Sequence, residues 1–201
     1  MKGIVFLLGY KSLAGKDTFA DAIKSLNFTR VAFADKLKYT VADLYNMTNE
    51  QVFGKLKDVP DERYPNLIDN NPEFQHLTPR RILQIFGQNQ RAIQPDIWPR
   101  YAFDTTIADE MNKGKSRFII TDFRFINEYE VAKKYCDLYN LRLITIRIDR
   151  NISAKSGSFD VSENELNTFN KWNYIVTNNS CLQDYQLKCW ELSQVILTSH
   201  R

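Results

Sequence analysis

The residues from Gly9 to Thr18 have types and a spacing that are suited to holding phosphate. They read Gly-Tyr-Lys-Ser-Leu-Ala-Gly-Lys-Asp-Thr and lie between an apolar run at 4–8 and a segment with helical periodicity. A buried strand, a glycine-bounded loop, a lysine and a hydroxyl at a helix start form the layout that binds nucleotide phosphates. Small loop residues matter because a side chain would keep the backbone away from the phosphate oxygens.

The spacing of this loop differs by one residue from the usual pattern. Five residues separate Gly9 from Gly15, so Tyr10 stands where the first glycine is expected. The alternative is an ordinary strand–turn–helix junction with a surface lysine, but both flanks favour the phosphate loop. In that interpretation Lys16 reaches the outer phosphates, and Asp17 or Thr18 meets a magnesium ion.

A second candidate site lies on a helix that begins at Thr78, with Thr78 as the cap and Pro79 in the first turn. Spacings of four, three and four residues place a polar set within a narrow arc of that helix, namely Arg80, Gln84, Gly87 and Arg91. A glycine inside a helix costs about 1 kcal/mol relative to alanine, which predicts a close approach at that position. Guanidinium groups bind phosphate esters in a bidentate fashion. The alternative is a solvated polar face.

A third candidate lies where an apolar strand at 118–121 ends. Asp122 could hold magnesium, directly or through water, because α/β sheets bind ligands at the carboxyl ends of their strands. Arg124 emerges at the same rim and could contact a phosphate. Asn127 and Glu128 are expected to cap the next helix or to position Arg124, and the alternative for Asp122 is a helix cap or a turn.

The order of the elements predicts an α/β fold with a parallel sheet covered by helices on both faces. Strands are expected at 3–9, 31–33, 118–121, 143–148 and 174–177. Helices are expected after the loop, at 35–45, from 78 and at 182–197, the last carrying Trp190 and Val195 onto the core. Two segments, 46–100 and 150–165, interrupt this alternation and are interpreted as binding or lid segments within one domain spanning 1–201.

Composition narrows the classes of function. The chain has 201 residues, 43% hydrophobic and 25% charged, with a formal charge of +3 that is too small to imply a nucleic-acid partner. Three cysteines without metal or redox spacing indicate reduced thiols in a cytoplasmic compartment, and two histidines make a histidine-based metal site improbable. No signal peptide or membrane span is expected.

Taken together, these motifs resemble the deoxynucleoside monophosphate kinases of tailed bacteriophages. The resemblance runs through nearly the whole chain in the same order. It rests on the loop at 9–18, Phe-Ala-Asp-Lys-Leu-Lys at 33–38, the helix from Thr78 with Trp98 beyond it, Asp-Phe-Arg-Phe-Ile-Asn-Glu at 122–128 and Ser-Glu at 162–163. One departure is Asp160, at a position where members of the family often carry histidine.

The resemblance implies a P-loop NTPase three-layer sandwich of the nucleoside-monophosphate-kinase type, with ATP and Mg²⁺ as cofactors and a deoxynucleoside monophosphate as acceptor. It implies catalytic roles for Lys16, Asp17, Arg80, Asp122 and Arg124, and metal binding by Asp17, Thr18 and Asp122. It implies ATP binding by Gly9, Lys11, Ala14, Gly15, Lys16, Asp17, Thr18 and Arg150. It implies acceptor binding by Asp35, Lys38, Arg80, Gln84, Gly87, Arg91, Trp98, Arg124 and Glu128.

Other functions remain open at this point. The same scaffold could phosphorylate another small acceptor of the dephospho-coenzyme A or phosphomevalonate type, or could bind nucleotide without turnover. Trp98, Phe33 and Tyr39 could stack a base or belong to the core. Arg147, Arg150 and Lys155 border the second interrupted segment and could contact a transferring phosphoryl group or solvent. A homodimer is possible.

Overall fold

A computed structural model describes residues 3–67, 75–151 and 164–199. The chain divides into two compact units, the first formed by Met1–Phe33 with Pro99–Arg201 and the second by Ala34–Trp98. Much of the segment interpreted as a lid, including Lys155, Asp160 and the Ser-Glu pair at 162–163, lies outside the described residues.

The first unit is built on five strands. They are β1 (Gly3–Gly9), β2 (Thr29–Val31), β3 (Arg117–Phe123), β4 (Leu141–Asp149) and β5 (Tyr174–Thr177). The helices of the chain are α1 (Lys16–Ala22), α2 (Asp35–Leu44), α3 (Asn49–Val52), α4 (Pro79–Ile93), α5 (Ile97–Tyr101), α6 (Ala108–Asn112), α7 (Ile126–Leu138) and α8 (Leu182–Thr198). Single turns of 3₁₀ helix occur at Lys24–Leu26, Lys55–Asp58 and Glu165–Asn167, and a π-helical stretch occurs at Ala102–Ile107.

The five strands form one sheet in the order β2-β3-β1-β4-β5, and every pairing is parallel. Because β1 lies at the centre, β2 and β3 follow it on one side of the sheet and β4 and β5 on the other. In such sheets ligands bind beyond the carboxyl ends of the strands, next to the point where the direction changes. The loop at 10–15 that follows β1 occupies that position. This is the parallel α/β architecture that the sequence predicts.

Both faces of the sheet are covered. Ile4, Phe6 and Leu8 of β1 belong to a core cluster that contains Phe19 of α1 and Tyr185 of α8. The intervening side chains Val5 and Leu7 are fully buried as well, and they point to the opposite face because side chains alternate along a strand. A strand that is apolar at every position is therefore central and doubly covered, as its unbroken apolar run predicts.

Helix α8 closes this core, but not with the side chains that the sequence suggests. Trp190 and Val195 are 39% and 54% exposed, so their expected place in the core is wrong. The buried positions are Tyr185, Cys189, Ser193 and Ile196, which recur at spacings of three or four residues along one stripe of the helix. Trp190 and Val195 fall outside that stripe.

Strand β2 also differs from the expectation of 31–33. It pairs with β3 over Thr29–Val31 and ends there. The reason is visible two residues later, because the N–H of Phe33 donates to Oδ1 of Asp122 at 2.8 Å instead of to a backbone carbonyl of β3. A side-chain carboxylate thus replaces the next ladder bond and turns the chain out of the sheet.

The second unit is helical, and α3 and α4 lie within the segment 46–100 that interrupts the alternation. The role of this segment in acceptor binding stays a prediction. Helix α4 begins as predicted, with the hydroxyl of Thr78 accepting from the N–H of Arg81 at 3.1 Å and Pro79 in the first turn. Helix α2 packs on α4. None of the helices in the described parts of the chain combines the length and the apolarity required to cross a membrane.

Candidate functional site

The loop between β1 and α1 has an unusual backbone. Tyr10, Leu13 and Gly15 all have positive φ angles, at 95°, 56° and 107°. At Gly15 the requirement for glycine is twofold, because a Cβ there would also lie 2.4 Å from Nδ2 of Asn178. Gly9 is equally confined, since an added Cβ would meet the rings of Phe123 and Trp172 at 2.5 and 2.7 Å. Both glycines that bound the loop therefore admit no side chain.

The carbonyl groups of the loop bind side chains from elsewhere in the first unit. Asn178 Nδ2 donates to Ala14 C=O at 2.8 Å, and the Tyr185 hydroxyl donates to Gly15 C=O at 3.1 Å. Arg150 Nη1 donates to Leu13 C=O at 3.4 Å. All peptide bonds described are trans, so each following N–H points away from the carbonyl of its own peptide unit. The amides of 14, 15 and 16 are consequently directed away from these donors.

Lys16 is the first residue of α1 and is only 8% exposed. Its ammonium group donates to the carbonyl of Lys11 at 2.6 Å, across the loop. Lysine is almost never this buried without a partner, because removal of its charge from water is unfavourable. The Lys11 carbonyl thus stabilises the Lys16 ammonium group within the loop. A phosphate oxygen would form a stronger hydrogen bond with the same ammonium group, because both partners are charged.

The two residues after Lys16 were expected at a magnesium ion. Asp17 is paired with Arg30 of β2 at 2.9 Å, and its side chain is 76% exposed. Thr18 is half-buried in the first turn of α1. Metal binding by either residue stays a prediction, and a carboxylate already paired with a guanidinium would have to exchange that partner.

Asp122 lies within β3 and not beyond its end. Leu7 pairs with Ile120 and Gly9 with Phe123, so β3 carries one extra residue opposite Leu8. Such a bulge turns a side chain in a new direction and is common beside active sites. One oxygen of Asp122 accepts the N–H of Phe33, and a carboxylate has further lone pairs with which to bind a metal or its water. Its hard oxygen chemistry fits Mg²⁺.

The segment after β3 is organised by two glutamates. Oε2 of Glu128 accepts the N–H of Arg124 at 2.8 Å and that of Phe125 at 3.1 Å. Oε1 of Glu165 accepts the N–H of Ile126 at 2.8 Å. The predicted capping role of Glu128 is confirmed, and it fixes the backbone from which Arg124 projects. Direct contact of either residue with an acceptor stays a prediction.

Lys11 contacts the C-terminal end of 150–165, the segment interpreted as a lid. Its ammonium group donates to Oδ1 of Asn164 at 3.1 Å. With the Arg150 contact to Leu13, two cations predicted to bind ATP thus lie on or against the loop. Within the described residues no cluster of three or more His, Cys, Asp or Glu side chains is placed to hold a metal ion.

In the second unit, Arg80 is held in a bidentate pair. Its Nε and Nη2 donate to the two oxygens of Asp58 at 2.5 and 3.0 Å. This hydrogen bond lowers the pKa of the Asp58 carboxyl below its usual value. The pair is half-exposed, so its contribution to stability is small. It shows, however, that the Arg80 guanidinium has the orientation that binds a two-oxygen anion.

Arg80 and Gln84 line a pocket of about 270 Å³ in this unit, together with Asn66, His76, Leu77, Thr78 and Arg81. Gly87, on the same face of α4, is buried, and an added Cβ would lie 3.1 Å from Leu37 of α2. The close approach predicted at Gly87 is therefore the packing of one helix on another. Its role in acceptor binding, like that of the half-buried Arg91, stays a prediction.

The remaining acceptor candidates also lie in this unit. Asp35 begins α2, and Nζ of Lys38 lies 5.2 Å from the centre of the Phe53 ring. Trp98 is buried, and its Nε1 has no hydrogen-bond partner among the described residues. Of the three aromatic residues considered for base stacking, Trp98 and Phe33 are core residues and Tyr39 is exposed.

The sequence interpretation missed Asn178 and Tyr185. Asn178 directly follows β5, so the rule that ligands lie beyond the carboxyl ends of strands could have identified it. Tyr185 lies on α8 and gives no local signal. Burial raises the pKa of its hydroxyl far above the usual value, so it remains a hydrogen-bond donor to Gly15 at any physiological pH.

No protein-family model matches the chain. A protein of Acanthamoeba polyphaga mimivirus, named "Putative deoxynucleotide monophosphate kinase", is 28% identical over 194 residues, which cover 90% of this chain and 91% of that protein. Among solved structures, TT1252 from Thermus thermophilus is 11% identical with a TM-score of 0.51, and each chain is covered completely. Dephospho-CoA kinase from Campylobacter jejuni is 17% identical with a TM-score of 0.49 and 98% of each chain covered.

The likeness to TT1252 concerns the fold. It agrees with the all-parallel five-stranded sheet flanked by helices, and the predicted α/β class is confirmed. The viral relative is similar over nearly the full length of both chains, and it comes from a virus of an amoeba. A bacteriophage origin stays a prediction.

Proposed function

We propose that this chain is a kinase that transfers the γ-phosphoryl group of ATP to the phosphate of a deoxynucleoside 5′-monophosphate and yields the diphosphate. The observation that carries the proposal is the buried Lys16 ammonium group, held inside a loop whose neighbouring carbonyls bind side chains behind it. The similarity to the mimivirus protein supports both the reaction class and the acceptor.

On the donor side, the amides of 14–16 and the Lys16 ammonium group would bind the β- and γ-phosphates. Lys16 would exchange its bond to the Lys11 carbonyl for phosphate oxygens and so neutralise charge that spreads over the transferred group. Asp122 and Thr18 are the residues of this chain that would hold Mg²⁺ or its waters. When bound, the ion would neutralise negative charge on the phosphates of ATP.

The transfer itself needs no general base from the protein. A phosphate monoester is largely dianionic at neutral pH, because its second pKa is about 6. One of its oxygens forms the new bond to the γ-phosphorus while the bond from that phosphorus to the β,γ-bridging oxygen breaks, and ADP keeps the electron pair. Catalysis then rests on positioning and charge stabilisation.

On the acceptor side, Arg80 would release Asp58 and bind the monophosphate, since its guanidinium already has the fork geometry of an oxyanion contact. Gln84 shares the pocket with Arg80 and would bind the same molecule. Arg91 and Arg124 are further candidates for the acceptor phosphate. The basic side chains on α4 favour an enzyme over a nucleotide-binding module, because a module needs no second phosphate site.

The test is a transfer assay with labelled ATP and a panel of acceptors. The panel contains the four common deoxynucleoside monophosphates, AMP, GMP, dephospho-coenzyme A and phosphomevalonate. We expect diphosphate formation from at least one deoxynucleotide. We expect Lys16→Ala to lower the turnover rate by about 10²- to 10³-fold. Lys24→Ala is the matched control, because Lys24 is an exposed lysine just after the same helix and pairs with Asp21 at the surface.

The outcomes separate the alternatives. Activity confined to a non-nucleotide phosphate would favour a kinase for another small acceptor. ATP binding without transfer to any acceptor would favour the non-catalytic module. Full turnover by Lys16→Ala would contradict the donor-site assignment.

A further inference from the structure

Tyr10 has a backbone conformation that its residue type disfavours. It occupies the position of the first loop glycine, and its φ angle of 95° lies in the region that glycine usually occupies. A bulky side chain in this region is strained, and such strain persists only where the surroundings hold it in place. The contacts of the Tyr10 side chain should therefore explain why the loop does not begin with glycine.

The ring of Tyr10 lies beneath a guanidinium group. Cζ of Arg147 is 3.8 Å from the ring centre, which is a close cation–π geometry. Nε of Arg147 also donates to Oδ1 of Asp149 at 2.7 Å, so the guanidinium is held from a second direction. Arg147 lies on β4, where it pairs with Gly9 of the central strand β1. Its backbone is therefore fixed within the sheet.

The path from this contact to the phosphate site is short. Tyr10 is joined directly to Lys11, whose carbonyl accepts the Lys16 ammonium group at 2.6 Å. The dihedral angles of Tyr10 therefore determine the position of the Lys11 carbonyl group, which binds the Lys16 ammonium group. Nζ of Lys11 lies 5.1 Å from the centre of the same ring, so a second cation lies close to the aromatic side chain.

We propose that Tyr10 and Arg147 form a clamp that positions the phosphate loop for the triphosphate. The clamp fixes the positive φ angle through a side chain anchored to the sheet, whereas a glycine at this position would permit that angle without fixing it. Tyr10 and Arg147 are positioning residues in this account. The inference rests on the proposed donor site and assigns it two residues that the sequence comparison does not.

The test measures the affinity for a non-hydrolysable ATP analogue by calorimetry, with turnover and thermal unfolding measured on the same preparations. Tyr10→Gly relieves the backbone strain and removes the ring, whereas Tyr10→Phe retains the strain and the stacking. We expect Tyr10→Gly and Arg147→Met each to weaken the analogue about tenfold, within the range of a desolvated cation–π contact, and Tyr10→Phe to restore wild-type affinity.

Two comparisons make the result specific. Leu13→Gly places a glycine at a second positive-φ position of the loop and measures the effect of added flexibility alone. The double variant Tyr10→Gly with Arg147→Met should bind no more weakly than either single variant, because each change removes the same contact. If Arg147→Met does not fold, the comparison of Tyr10→Gly with Leu13→Gly decides.

Several outcomes would overturn the clamp. Tyr10→Gly could bind as tightly as the wild type or lose no more than Leu13→Gly. Alternatively, the two losses could multiply in the double variant, which would mean that Arg147 contacts phosphate by itself. A wild-type protein that binds no analogue would refute the donor site and the clamp together, whereas intact wild-type binding with unchanged variants refutes the clamp alone.

Discussion

Gly15→Ala tests how tightly the phosphate loop is built. The new Cβ would lie 2.4 Å from Nδ2 of Asn178 and 3.2 Å from the Tyr185 ring, and φ at this position is 107°. Asn178 is buried and bonded to the Ala14 carbonyl, so its amide cannot move aside without losing that bond. The substitution therefore combines backbone strain with the loss of a buried hydrogen bond.

The magnitudes of the two effects can be estimated separately. An L-residue in the left-handed region costs about 1–2 kcal/mol. Leaving a buried acceptor without its donor costs about 1–3 kcal/mol. Gly114→Ala is the matched control, because Gly114 also has a positive φ of 84° but an added Cβ there meets nothing within 4 Å. We expect the free energy of unfolding to fall by about 1–2 kcal/mol in Gly114→Ala and by about 2–5 kcal/mol in Gly15→Ala.

The assay is urea unfolding of both variants together with affinity for a non-hydrolysable ATP analogue. Gly15→Ala should weaken binding strongly, since it displaces the amides of 14–16, whereas Gly114→Ala should leave binding intact. Adding Asn178→Ala to Gly15→Ala removes the overlap but not the strain and should recover little affinity, because the Ala14 carbonyl still lacks its donor. Equal losses of stability for Gly15→Ala and Gly114→Ala would refute the reasoning.

Three further predictions concern other parts of the chain. One thiol, that of the exposed Cys181, should react quickly with Ellman's reagent in the native protein. The other two should react only on unfolding, because both are buried, and burial also raises the pKa of Cys189 to about 12; a fast reaction of more than one thiol in the native protein would contradict this. The hydrogen bond from Arg63 lowers the pKa of Asp61 from 3.8 to about 2. The stability that the ionised carboxylate contributes is therefore complete above pH 3.8 and is lost as the pH falls towards 2. In Asp61→Asn the free energy of unfolding in urea should vary less with pH over this range, and a pH dependence equal to that of the wild type would contradict the assignment. Thr78→Ala should lower the free energy of unfolding by about 1 kcal/mol through loss of the α4 cap, and a loss below the error of urea titration would count against the cap.

The sequence predicted the local features of the structure well. Strand β1, the loop and the start of α1 are contiguous, and the cap at Thr78 depends on residues three positions apart. Glu128 caps its own helix in the same way. Such features are determined by neighbouring residues, so composition and spacing are sufficient to recognise them.

The features that the sequence did not predict depend on long-range packing. Asn178 and Tyr185 contact the loop across separations of 164 and 170 residues, and nothing near them in the chain indicates this partner. Trp190 was expected in the core because it is large and apolar, yet the face of α8 is set by the sheet against which the helix packs. The clamp at Tyr10 likewise requires Arg147 from the neighbouring strand.

The most direct test of the central claim is a crystal structure of the wild-type protein with Mg²⁺ and a non-hydrolysable ATP analogue. We expect the β- and γ-phosphates to lie within about 3 Å of the Lys16 ammonium group and of the amides of 14–16. The bond from Lys16 to the Lys11 carbonyl seen in this structure should be replaced by bonds to phosphate. A bound analogue whose phosphates lie elsewhere, with Lys16 still on the Lys11 carbonyl, would contradict it.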